Sequence, residues 1–186
     1  MPRQFQVDFS SYNLKKVLKE LFHFIKDPLV KIKSIRFLNW SDIFVINLIN
    51  IFICFSLGIL LFSNHSDFNF ISLITQFIFA VLLQVAGLLI LSGLMYYTFY
   101  FTLKKLPFIK IAHILSLAIF HATIINTLSF YLPPISLMAF ALSAILLIIA
   151  FSENFSLPKL VVAKIILPYY AMYIIFWIIQ SIQNTI

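Results

Sequence analysis

The sequence predicts an all-α, polytopic membrane helix bundle with five transmembrane helices and an N-terminal amphipathic interfacial helix. Three observations lead there. Hydrophobic residues make up 62% of the 186 and charged residues only 10%, against roughly 45–50% and about 25% in soluble domains. Five apolar runs are long enough to cross about 30 Å of hydrocarbon at a rise of about 1.5 Å per residue. All 13 Lys and Arg lie before the first run, or in and beside the two loops that five crossings place on the same side.

Residues 1–42 read as a basic amphipathic segment. From Asn13 to Lys26, Leu14, Val17, Leu18, Leu21, Phe22 and Ile25 recur at helical spacing, with Lys15, Lys16, Lys19 and Lys26 largely opposite. A helix of this kind lies in a lipid interface. Asp27-Pro28 breaks it and suits the start of another, since Asp favours the N-cap and Pro the first helical position. Lys31, Lys33 and Arg36 follow among Val30, Ile32, Ile35 and Phe37. Basic residues beside a span are drawn to anionic head groups at about 1 kcal/mol each, so the seven from Lys15 to Arg36 form the candidate lipid-binding surface.

Residues 43–186 read as the transmembrane domain. The first span is 43–62, with Ser41 or Asp42 as its cap and Trp40 at the interface. The second is 76–101, its preceding residues 71–75 lying at the interface and Tyr96, Tyr97 and Tyr100 marking its other end. The third, 111–128, turns through Ser129 to Pro134, where two prolines cannot continue a hydrogen-bonded helix, into the fourth, 135–151. The fifth, 160–179, carries an interior Pro168, which predicts a kink, and Trp177 as a far anchor.

Charge then orients the bundle. Eight basic residues precede the first span; Lys104, Lys105 and Lys110 lie between the second and third; Lys159 and Lys164 lie at the start of the fifth. The segments 63–70, 129–134 and 180–186 contain no Lys or Arg. The positive-inside rule puts the N-terminus in the cytoplasm and the C-terminus outside; if the cell is prokaryotic, the membrane is the cytoplasmic one. The net charge of +7 thus reads as topology and lipid contact rather than nucleic-acid binding. With the first apolar run starting only at Ile43, no removable leader is expected.

Polar residues at membrane depth are costly and mark candidate sites. Asn47 and Asn50 share a face of span one, Gln84 sits within span two, and His121 and Asn126 lie on span three. Together they are the candidate intramembrane polar path, against the commoner role of hydrogen bonding between helices. His113 and His121 stand eight residues apart, about 80° around a helix and about 12 Å along it, so the pair alone cannot chelate one metal. No metalloprotease, Cys-x-x-Cys, Gly-x-Ser-x-Gly or phosphate-loop motif occurs. His113 with Glu153 and Lys159 is the one weak cluster for hydrolysis. Neither catalysis nor a cofactor is expected, and Cys54 reads as an inert buried thiol.

The order of features resembles the Yip1 domain family of five-span membrane proteins. The resemblance rests on Asp27-Pro28 followed by Leu29, Val30 and Ile32; on Leu106-Pro107-Phe108-Ile109-Lys110-Ile111 before span three; on the tight hairpin after it; and on Asn154 to Lys159 before Lys164 and Pro168. It covers roughly residues 27–179. It implies a non-catalytic role in membrane organisation, trafficking or partner recruitment, in which eukaryotic members are associated with Rab-type GTPases. This chain departs from that pattern in its short basic N-terminal segment, which lacks a Tyr-Gly-Pro motif, and in His121, where related sequences often have proline. The expected partners are the bilayer, its anionic head groups, and a membrane protein or a second copy of the chain. A small transporter or lipid-moving protein using the polar path is the competing expectation.

Overall fold

The computed structural model describes residues 14–35, 39–62, 70–127 and 134–183, and every regular element among them is helical. The elements are α1 (Leu14–Lys26), α2 (Pro28–Lys31) with a 3-10 turn at Ile32–Ser34, α3 (Trp40–Phe62), α4 (Phe70–Thr102), α5 (Phe108–Thr127), α6 (Pro134–Phe155) and α7 (Lys159–Gln183). Among the described residues, four helices are long and apolar enough to cross a membrane: Trp40–Leu60, Ile71–Thr102, Phe108–Thr127 and Ile135–Phe155. Residues 63–69 and 128–133, Arg36 and the side chain of Trp177 lie outside the described part.

Helix α5 is the axis of the bundle. Its residues Ile111 to Ala118 are buried without interruption, as expected of a helix enclosed on every side. α3, α4 and α6 pack on it, and α7 packs on α6. Phe99 of α4 meets Phe151 of α6 with ring centroids 4.7 Å apart, and both are fully buried. Trp40, Tyr96 and Phe108 gather at one end, with Trp40–Phe108 at 5.8 Å and Tyr96–Phe108 at 6.0 Å. Lys104 donates to the Phe155 carbonyl at 2.8 Å, which brings the α4–α5 loop to the α6–α7 turn. This is the basic end of the bundle.

The boundaries differ from the expected spans in instructive ways. α3 begins at Trp40, so Ser41 and Asp42 stand in its first turn rather than at its cap; the Asn39 carbonyl already accepts from the Ile43 N–H. Asp42 there lies near the positive end of the helix dipole. α6 continues past residue 151 to Phe155 because Asn154, polar in isolation, has partners on a neighbouring segment. α4 has 33 residues, about 50 Å of helix. Tilt alone would need about 53° to fit that length into a 30 Å core, beyond the usual 0–40°. One end therefore projects, and Ser72, Thr75 and Gln76 are exposed at the end away from the basic loops.

One start follows the expectation and one departs from it: Asp27-Pro28 opens α2, whereas Pro134, expected in the turn, is the first residue of α6. Asp27 caps α2, accepting from the Val30 N–H at 3.3 Å, with Pro28 in the first turn. Pro134 opens α6, where its missing N–H costs nothing. The end of α6 carries a feature that the sequence conceals: Ser156 has φ 53°, the Leu157 N–H reaches back to the Ser152 carbonyl at 2.9 Å, and Leu157 is buried. This is the left-handed helix stop usually made by glycine. A serine there carries backbone strain, so Ser156→Gly is expected to raise stability by up to about 1 kcal/mol. Thermal unfolding in mild detergent measures it; a loss of stability would contradict this view of the turn.

Candidate functional site

The predicted polar residues divide into three groups once their helices are packed. The Asn47 side-chain amide donates to the Ser116 hydroxyl at 2.8 Å and to the Ile43 carbonyl at 2.8 Å. Gln84 donates to the Asn47 side-chain oxygen at 3.2 Å. One turn on, Thr123 donates to the Asn50 side-chain oxygen at 2.8 Å. Asn47, Asn50 and Gln84 thus stitch α3, α4 and α5 together. Both asparagines are buried, and hydrocarbon would leave their amides without partners.

His121 belongs elsewhere. Its ring packs edge-on against Phe24 of α1, with centroids 4.9 Å apart, and its Nδ1 is buried without a hydrogen-bond partner. His113 lines a cavity of about 80 Å³ with Glu20, Leu21 and Lys31, while Glu153 pairs with Lys159 at 3.0 Å on the surface. Among the described residues no group of three or more His, Cys, Asp or Glu could hold a metal ion.

Asn126 is exposed and lines two cavities that also share Thr123. One, about 370 Å³, lies among α4, α5, α6 and α7, with Leu91, Met95, Ile119, Leu147 and Tyr170 in its wall. The other, about 350 Å³, lies among α3, α4 and α5 and includes Gln84 and Thr127. Hydroxyl pairs border the first cavity: Ser143 with Tyr170, and Thr98 with Tyr169. Inspection of the spans for Asn, Gln and His misses these Ser, Thr and Tyr residues. The available signal was the seven-residue spacing of Ser116 and Thr123, which puts both on one face of α5.

The candidate lipid-binding residues lie on the N-terminal segment. Val17, Leu21 and Phe24 are buried against the bundle, and Lys19 and Lys26 are exposed on the other side of α1. The side chains of Lys15 and Lys16 lie outside the described part. Between buried and charged faces lies a third sector, Leu18, Phe22 and Ile25, apolar yet 44%, 67% and 45% exposed. Lys31 at the end of α2 and Lys33 in the 3-10 turn after it are exposed. Asn154 of α6 fastens the segment, donating to the Ile32 carbonyl at 2.8 Å and accepting from the Ile35 N–H at 3.0 Å.

No protein-family model, curated protein or solved structure matches the chain. The geometry alone therefore weighs the functional readings. Because Asn47 joins three helices, Asn47→Ala is expected to lower stability by about 1–2 kcal/mol, and a double-mutant cycle with Ser116→Ala to give a coupling near 0.6 kcal/mol. Unfolding in mixed micelles measures both. Strict additivity would contradict the Asn47–Ser116 bond.

Proposed function

We propose that the protein is a non-catalytic, Yip1-like integral membrane protein with five crossings, holding a basic amphipathic helix on the cytoplasmic leaflet to organise that surface and recruit partners to it. The exposed apolar sector of α1 carries this reading. Among the described side chains of α1, docking on the bundle consumes Val17, Leu21 and Phe24. Water would leave Leu18, Phe22 and Ile25 unfavourably solvated. With Phe24 at His121, about 20 Å along α5 from its basic end, α1 lies against the flank of the bundle, where lipid covers the apolar sector and the long lysine side chains reach toward the head groups.

The fifth crossing is supported by α7. It starts at the basic end, has 25 residues, about 37 Å of helix, and runs antiparallel to α6 with Tyr170 at Ser143. The polar path has less support, because Asn47, Asn50 and Gln84 hydrogen-bond across helices and His121 faces α1.

A Cys54→Ser chain carrying Phe22→Cys tests the lipid contact. In bilayers containing phosphatidylserine, the thiol is expected to react more slowly with a water-soluble maleimide than in phosphatidylcholine alone, and high salt is expected to restore the rate. Replacing Lys15, Lys16, Lys19 and Lys26 by Gln removes about 4 kcal/mol of attraction at about 1 kcal/mol per charge, and with it the difference between lipids. Equal reactivity in the two bilayers would overturn the proposal.

A further inference from the structure

We infer that the cavity between α4 and α7 is a binding site for one acyl chain of a phospholipid from the leaflet opposite the basic loops. The inference rests on the five-crossing reading. α4 and α7 do not pack along their length; the Thr98–Tyr169 hydrogen bond bridges them, and α5 and α6 form the floor. Its volume of about 370 Å³ falls at the lower end of small-molecule sites, about 300–1,000 Å³. Inside a bilayer, the medium that meets such a lateral opening is lipid.

Polarity within the cavity is graded along the membrane normal. Ile119 stands 11 residues beyond Phe108 in α5, about 16 Å along the helix and so near the midplane of a 30 Å core. Leu147 lines the cavity with it, and Met95, beside the Tyr96 that packs on Phe108, carries the apolar lining on toward the basic end. Asn126 stands 18 residues beyond Phe108, about 27 Å along and near the far boundary. Thr123 and the Ser143–Tyr170 pair lie between. The second cavity shares Asn126 and Thr123 and continues the polar lining to Gln84 and Thr127. A lipid of the far leaflet has this profile, ester and head group outward and chain end at the midplane.

Lipid tails are as apolar as leucine, so burying a chain here yields no hydrophobic gain over the surrounding bilayer. Selectivity must come from shape and from hydrogen bonds to the lipid's ester oxygens, which only accept. The Thr98 and Thr123 protons already go to the Leu94 carbonyl and to Asn50, which leaves the second hydroxyl proton of the Ser143–Tyr170 pair as the donor. A free fatty acid shares the chain and lacks the phosphodiester head.

The test uses the full chain in nanodiscs containing phosphatidylcholine with a photoactivatable diazirine either near the chain end or near the ester, with cross-links mapped by peptide mass spectrometry. The chain-end probe is expected to label Met95, Ile119 or Leu147, and the ester probe the region of Asn126. Ala122→Trp, which fills the cavity, is expected to reduce labelling at least tenfold. Ala141→Trp, on an exposed face of α6, is expected to leave it unchanged. Even labelling of exposed Leu82, Leu83 and Ile90, identical maps for the two probes, or labelling by a diazirine fatty acid alone would overturn the inference. If Ala122→Trp does not fold, the two wild-type maps still decide. A reversed topology would change the supplying leaflet and leave the depth pattern intact, so failure of the site and of the orientation are read separately.

Discussion

Hydrocarbon offers no hydrogen-bond partners, and α5 carries Ser116 and Thr123 into the centre of a bundle that has little else to bond them. Thr123 also reaches the Ile119 and Phe120 carbonyls of its own helix, but the bonds that tie helix to helix come from neighbouring spans. Asn47 and Asn50 supply them from α3, and Gln84 extends the chain to α4. Because each of these bonds has a defined height, they set the register of three helices at once. The apolar contacts around them, Phe99 on Phe151 above all, are less particular about register. Polar pairing therefore selects the arrangement that packing then stabilises.

The N-terminal segment is attached to the same axis from the side. Asn154 anchors it by the backbone of Ile32 and Ile35, and Phe24 reaches His121. His121 lies 13 residues beyond the start of α5, about 20 Å along it, so the helix is held against the flank of the bundle rather than resting on its tip. This attachment fixes which sector of α1 is spent on protein and which is left over. The leftover apolar sector and its lysines are what the proposed membrane role uses.

Hydrophobic length made the helices legible from the sequence, and Asp27-Pro28 made one of their starts legible. Charge placement supplied the orientation on which the proposed function rests. Helix ends were less accessible, because they depend on partners from distant segments: Asn154 looked like a loop residue until its bonds to residues 32 and 35 kept it helical. The left-handed Ser156 gave no sign, since nothing in serine announces that conformation. The polar path was composed from residue types rather than from faces, so it joined His121 to residues on another side of α5. Ser143, Tyr169 and Tyr170, which shape the larger cavity, looked like ordinary span residues for the same reason.

Five crossings with the basic face in the cytoplasm are the premise on which both the α1 surface and the lipid cavity are placed. Single cysteines in a Cys54→Ser chain, probed with an impermeant maleimide on sealed cells, test it most directly. Asp67→Cys and Asn184→Cys are expected to react from outside, and Lys104→Cys and Lys159→Cys only after lysis. Protection of Asn184→Cys in sealed cells together with Lys104→Cys and Lys159→Cys, or inversion of the whole pattern, would contradict it.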